Sequence, residues 1–217
     1  IGAGGLGSPL LLYLAAAGVG TIGIIDDDHV SLSNLQRQVV HGTKDVGRPK
    51  VESARDAILD INPHTNVVIH EERLNATNAQ ALICQYVIVA DGCDNFSTRF
   101  LVNDACYFAR VPLVSAAVGR FDGQLSTFKG YERDADDVPL PTYRDFITTM
   151  PPDGSIPTCE QAGVLGALTG VMGSLQALEV IKEITGAGTG LAGKLLIYDA
   201  LDARVRTITL RHDPANP

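Results

Sequence analysis

Apolar and polar positions change period along this chain, and the changes mark its elements. Ser8 to Ala17 is almost wholly apolar and predicts a helix, with Pro9 tolerated in its first turn and Gly18 as its stop. Thr21 to Ile25 is a β-rich run that closes on three acids, Asp26, Asp27 and Asp28. A polar stretch leads to Pro49. Lys50 to Ile61 then shows helical spacing through Val51, Ala54, Ile58 and Ile61, and Asn62-Pro63 stops it. Val67 to Ile69 predicts a strand and Asn78 to Cys84 a helix. Val87 to Ala90 predicts a buried strand, Ser97 to Arg110 a helix and Leu113 to Ala116 the next strand. Strands alternating with helices imply an α/β fold of Rossmann type, a doubly wound and mostly parallel sheet.

After Gly119 the pattern changes. Gly123 to Phe128 alternates as an antiparallel strand does, and Lys194 to Tyr198 and Val205 to Leu210 predict two closing strands. The sheet is therefore expected to continue into antiparallel strands. Residues 131–160 are rich in Pro and Asp without a clear period, and a loop that long inside a compact domain is usually functional or mobile. Ala162 to Ile184 predicts one long helix. Its apolar half carries Gly163, Gly166, Gly170 and Gly173, a spacing also found in membrane helices. Gln176 and Glu179 follow directly, so the favoured reading is a buried helix whose glycines permit close packing.

Composition narrows the class. With 217 residues and 45% hydrophobic content, one sizeable domain over 1–217 can close a core without disulfides. A net charge of −8 argues against nucleic acid or an anionic membrane as partner. Cys84, Cys93, Cys106 and Cys159 form no CxxC pair, which fits a reducing, cytoplasmic setting, and no signal peptide is visible. Ile1-Gly2 reads as the end of a strand whose first residues are expected upstream.

The chemistry begins at the opening loop. Gly2-x-Gly4-x-x-Gly7 leads from strand to helix, and Gly4, Gly5 and Gly7 let backbone approach phosphate at a helix N-terminus. Asp26, at the next strand end, is placed to accept hydrogen bonds from ribose hydroxyls. An NAD-dependent oxidoreductase fits equally well to this point. Ser33, Asn34, Arg37 and Gln38 are crowded into six positions, with Arg48 and Lys50 after them. A dinucleotide pyrophosphate is already satisfied by the helix end, whereas extra cations suit a triphosphate whose leaving group must be stabilised. Asp94 follows a strand at its carboxyl end, and a carboxylate there calls for Mg²⁺ between itself and the phosphates. Asn95 is either a further polar contact or a helix cap.

Taken together, the glycine loop, Ser31 to Gln38, Gly47-Arg48-Pro49-Lys50, Asp94-Asn95 and Thr158 to Gly163 resemble the E1-like activating enzymes of MoeB/ThiF/HesA type. The likeness runs from the first residue to about Asp202. It implies a homodimeric, ATP- and Mg²⁺-dependent adenylyltransferase whose partner is a ubiquitin-like sulfur carrier ending in Gly-Gly. The carrier's carboxylate would be activated as an acyl-adenylate for a sulfur donor system, in molybdopterin or thiamin synthesis. Carried onto this chain, Gly5 lies near the phosphates and Asp26 binds ribose. Asn34, Arg37 and Lys50 hold and polarise the phosphates, and Asp94 binds Mg²⁺ or steers the reaction. Cys159 stands where some members use a covalent thiol, and an inert cysteine is the equal alternative. Many relatives carry structural zinc on two CxxC pairs. Here those places read Thr142-Tyr143-Arg144-Asp145 and Arg211-His212-Asp213-Pro214, so no zinc site is expected. A non-catalytic scaffold subunit of the same fold is a further alternative.

Overall fold

A computed structural model describes residues 1–152 and 163–216. The elements are α1 (Gly7–Ala16), β1 (Thr21–Ile25), α2 (Lys50–Ile61), β2 (Asn66–His70), α3 (Ala79–Ile83), β3 (Val89–Asp91) and α4 (Phe96–Ala109). They continue as β4 (Leu113–Val118), β5 (Asp122–Phe128), α5 (Tyr143–Phe146), α6 (Gly166–Thr185), β6 (Lys194–Asp199) and β7 (Arg204–Thr209). Two short 3-10 turns, Leu32–Asn34 and Thr43–Asp45, lie in the polar stretch between β1 and α2.

Hydrogen bonding divides the strands into a β1-β2 pair and a five-stranded sheet in the order β3-β4-β5-β6-β7. The β1-β2 and β3-β4 pairs are parallel, and the other three are antiparallel. The opening residues stitch the two sheets together. Gly2 N–H donates to Ile25 O (2.9 Å), Ile1 N to Ala90 O (2.7 Å) and Gly92 N–H to Ile1 O (3.1 Å). The carboxyl ends of β1 and β3 therefore meet beside the glycine loop.

Helices cover both faces, as side-chain alternation along the strands requires. On one face α1, α2 and α6 close over Ile22, Ile24, Val114, Ala116 and Leu125, with Leu10, Val51, Ile58, Leu168 and Met172 at the centre. On the other, α3, α4 and α5 pack on Val89, Leu113 and Phe128. The glycines of α6 have separate uses. A Cβ at Gly173 would lie 2.3 Å from Leu6 O, and one at Gly166 2.2 Å from Gln36 O, whereas Gly170 faces open space. These two glycines let α6 press against α1 and against the polar segment. Among the described residues, no helix is long and apolar enough to cross a membrane.

Among its described residues, the segment after β5 holds one short helix, α5, that shows no period in the sequence. Thr142 N–H donates to Asp145 Oδ2 (2.7 Å) and the Thr142 side chain accepts from Arg144 N–H (3.2 Å), a closed N-terminal cap. The other Asp145 oxygen accepts from Asp213 N–H (2.8 Å) and Asn216 Nδ2 (3.1 Å). The two segments lacking the CxxC pairs thus meet on one carboxylate, whose side chain is 1% exposed.

Candidate functional site

A cleft of about 610 Å³ opens where the carboxyl ends of β1 and β3 meet the amino ends of α1 and α2. Its size suits a nucleotide. The glycine loop forms one wall, with Gly2, Gly4 and Gly5 lining the cleft. Gly7 lies behind them, where a Cβ would stand 2.1 Å from Gly2 O, so its lack of a side chain shapes the loop from below. Gly5 is backed by Thr169 of α6, and a Cβ on this glycine would lie 3.0 Å from Thr169 Cγ2.

His41 supports the loop from outside. Its Nε2 lies 2.9 Å from Ala3 O and its Nδ1 2.8 Å from Ser53 Oγ. A carbonyl only accepts, so Nε2 carries the proton and Nδ1 accepts from the serine hydroxyl. Burial pushes this imidazole below its ordinary value, and Lys50 adds to that, against the opposing pull of Ala3 O. The neutral ring links the loop to α2.

Asp26 turns its carboxylate onto the loop. Oδ2 accepts from Ala3 N–H (2.8 Å) and Oδ1 from Asp28 N–H (2.9 Å), and the residue lines the cleft. Lys50, the first residue of α2, is 5% exposed, and its ammonium sits 2.7 Å from Asp28 Oδ2. Arg37 lines the cleft from the opposite side. Its Nη1 reaches Ser33 O (3.4 Å), and its carbonyl accepts from Thr169 Oγ1 (3.3 Å), which ties the polar segment to α6. Gln38 is 5% exposed beside Gly4, and its Oε1 has no hydrogen-bond partner among the described residues. Asp94 is exposed at the far wall and makes no side-chain hydrogen bond or ion pair among the described residues.

The cleft thus brings together Gly4, Gly5, Asp26, Arg37, Gln38, Lys50, Asp94 and Asn95. Asn95 is the cap of α4, accepting from Thr98 N–H (2.8 Å) and Ser97 Oγ (2.9 Å) while it lines the cleft. Ser33 and Asn34 stand outside the lining, bonded to each other at 3.4 Å. Arg48, grouped with the other cations by its sequence position, turns away to Asp45 and Asp56, both at 2.7 Å. Cys159 lies outside the described residues. The donor set suits a hard cation at Asp94, an exposed carboxylate on a cleft that also holds Arg37 and Lys50. Asp26, Asp27 and Asp28 also stand close together, but Asp28 is held by Lys50 and Asp26 by backbone N–H groups.

Sequence reasoning missed several lining residues. Arg73 follows β2, and Arg99 lies in α4 four residues after the Asn95 cap. Ser115, Gln124, Ser126, Tyr143 and Phe146 extend the cleft across β4 and β5 to α5. A cation set between Phe96 and Phe100 was the one available signal for Arg99. The β4-β5 lining left none, because strand residues on a cleft alternate just as core residues do.

The chain matches the ThiF family over residues 1–217. It is 54% identical over 217 residues to the probable adenylyltransferase/sulfurtransferase MoeZ of Mycobacterium tuberculosis, covering 100% of this chain and 55% of that protein. It is 45% identical to the sulfur carrier protein adenylyltransferase of Thermus thermophilus, covering 100% of this chain and 79% of that protein. The chain thus spans about half the length of the first of these relatives, and more of the second. Among solved structures, the fold superposes on E. coli MccB with ATP at a TM-score of 0.81 and 20% identity, covering 100% of this chain and 64% of that one.

Proposed function

Since the chain belongs to the ThiF family of E1-like activating enzymes, we propose that it adenylates the C-terminal carboxylate of a ubiquitin-like sulfur carrier ending in Gly-Gly, using ATP. The observation that carries this reading is the convergence of Gly4, Gly5, Arg37, Lys50 and Asp94 on one cleft. Glycine backbone and two cations suit a polyphosphate, and the groove over β4 and β5 leaves room for an extended tail.

In this reading the triphosphate lies along the glycine loop with its ribose toward Asp26. Lys50 exchanges Asp28 for phosphate oxygens, and Arg37 meets them from the α6 side. A carrier carboxylate oxygen attacks the α-phosphorus, the bond from that phosphorus to the bridging oxygen breaks, and pyrophosphate departs with the electron pair. Positive groups already in place stabilise the growing charge without reorganising, which is the main source of acceleration in such a site. Asp94 would hold Mg²⁺, which when bound would supply further neutralisation of the phosphate charge. No side-chain nucleophile is needed. The acyl-adenylate then passes to a sulfur donor system that delivers a thiocarboxylate for molybdopterin or thiamin synthesis. The reading includes a homodimer working in the cytoplasm.

The test is carrier-dependent ATP–pyrophosphate exchange by the full-length protein with Gly-Gly-ended carriers. Exchange is expected with at least one carrier, and Arg37→Ala or Asp94→Ala should lower its rate by about 10²–10³-fold, the usual cost of one charge-stabilising group. A protein that binds ATP yet exchanges with none of its carriers, or variants that keep full activity, would refute the proposal.

A further inference from the structure

One cation on the cleft that the nucleotide reading leaves unused is Arg99. It is the fourth residue of α4 and only 8% exposed. Both facts count against a positive charge there. The amino end of a helix carries a partial positive charge, and an unpaired guanidinium is costly to bury. Burial alone would lower its basicity, but the Asp91 carboxylate, with the Cys93 and Tyr143 side chains, more than offsets this and holds the guanidinium above its ordinary value. The surroundings are built to keep this charge.

What the charge grips is the peptide before Asp94. Arg99 Nη2 donates to Cys93 O, a short contact of 2.5 Å. Asp91, fully buried at the end of β3, takes Cys93 N–H on Oδ1 at 3.0 Å and the Ser115 hydroxyl on Oδ2 at 3.2 Å. Cys93 is thus held at both its N–H and its C=O. Asn95 is fixed on the other side as the cap of α4. Asp94 stands between two anchored residues, with its own side chain exposed to the cleft. The Tyr143 side chain helps hold the guanidinium charged, and it packs edge-to-face with Phe100, Phe128 and Phe146. One buried cation therefore ties the Asp94 loop to α4, with the Asp91 and Tyr143 side chains helping to hold its charge.

We propose that Arg99 is a positioning residue that sets the Asp94 carboxylate at the distance from the phosphates that a bridging divalent cation requires. The proposal rests on the adenylation reading, in which Asp94 holds that cation. Arg99 itself need not touch substrate. Lysine is a poor replacement, because an ammonium on a flexible stem lacks the fixed planar fork that sets Nη2 on Cys93 O.

The experiment uses the full-length protein with Arg99→Lys, Arg99→Ala and Tyr143→Phe. Two readouts are taken: the Mg²⁺ concentration giving half-maximal carrier-dependent exchange, and the hydrogen–deuterium exchange of the Cys93–Asn95 amides in the ligand-free protein. Arg99→Ala should raise the Mg²⁺ midpoint by about 10- to 100-fold, the usual cost of losing an outer-shell support of a metal ligand. Arg99→Lys should do nearly as much, and added guanidinium ion should partly restore Arg99→Ala. A residue that served folding alone would lower the active fraction without moving that midpoint. The Cys93–Asn95 amides should exchange faster in both Arg99 variants, and Tyr143→Phe should give a smaller change in the same direction. An unchanged Mg²⁺ midpoint in a folded Arg99→Lys variant, or unchanged amide exchange, overturns the proposal. Absence of exchange in the unmutated protein with every carrier strikes the adenylation reading instead, and the amide readout still decides whether Arg99 holds the loop.

Discussion

Replacing Asp145 with alanine removes the carboxylate that joins the segment after β5 to the chain's last described residues. In the intact protein its two oxygens accept from Thr142 N–H at 2.7 Å, the Thr142 hydroxyl at 3.0 Å, Asp213 N–H at 2.8 Å and Asn216 Nδ2 at 3.1 Å. Hydrogen bonds to a charged acceptor are worth about 1.5–3 kcal/mol each, but Asp213 and Asn216 can turn to water once released, so only the Thr142 cap counts in full. The expected loss is about 2 kcal/mol, which for a chain of this size lowers Tm by about 4–8 °C. The pH dependence carries the same signature. Burial pushes the Asp145 carboxyl up, but the hydrogen bonds from Thr142, Asp213 and Asn216 outweigh it and hold it below the usual carboxylate range. A group depressed in the folded state contributes stability that is complete above its unfolded value of about 3.9 and is lost as pH falls through the lower folded value. His212 faces it from the tail, with Nδ1 3.4 Å from Asp145 Oδ1. Thermal unfolding of the two proteins at neutral and acid pH, with amide exchange at Asp213 and Thr142, measures both effects. A Tm change below about 1 °C at neutral pH, or protection of the Asp213 amide equal to that of the parent, would refute this account of the clamp.

The walls of the cleft give two more expected outcomes. Gly7→Ala forces a methyl within 2.1 Å of Gly2 O, so the glycine loop must shift. The cost expected from such overpacking is about 1–3 kcal/mol or more, with loss of ATP binding beyond what stability explains; calorimetry and nucleotide titration separate the two. His41 is buried as a neutral ring between Ala3 O and Ser53, with its basicity lowered mainly by burial. Its contribution is complete above the unfolded value of about 6.5 and is lost as pH falls through the lowered folded value. In His41→Gln, stability by urea unfolding should therefore change less with pH just below about 6.5 than it does in the parent; equal slopes would exclude a role for this ring.

Local pattern alone determined most of the elements. Strand β1 and helix α2 run over the residues that periodicity indicates, Thr21–Ile25 and Lys50–Ile61, because each is set by its own side-chain spacing and ended by its neighbours. The change from parallel to antiparallel pairing after β4 was legible for the same reason, in the alternation from Gly123 to Phe128. So was the grouping of the glycine loop with Asp26, Arg37, Lys50 and Asp94, since open α/β sheets bring the carboxyl ends of their strands to one edge. Helix α6 begins at Gly166, later than its apolar composition suggests, and its glycines serve α1 and the polar segment where Gly166 and Gly173 make close approaches.

Tertiary structure decided what depends on partners distant along the chain. Arg48 resembles Lys50 in sequence, yet it faces Asp45 and Asp56 while Lys50 enters the cleft, because Arg48 precedes α2 and Lys50 is held in its first turn. Arg99 and Asp145 carry charges that in a linear reading belong to a solvated surface. Only when Asp91 and Tyr143 close around one, and Asp213 and Asn216 around the other, does each charge acquire a task. Propensity and period act over a few residues, whereas a buried charge is defined by the groups that replace its water, and chain order does not specify those.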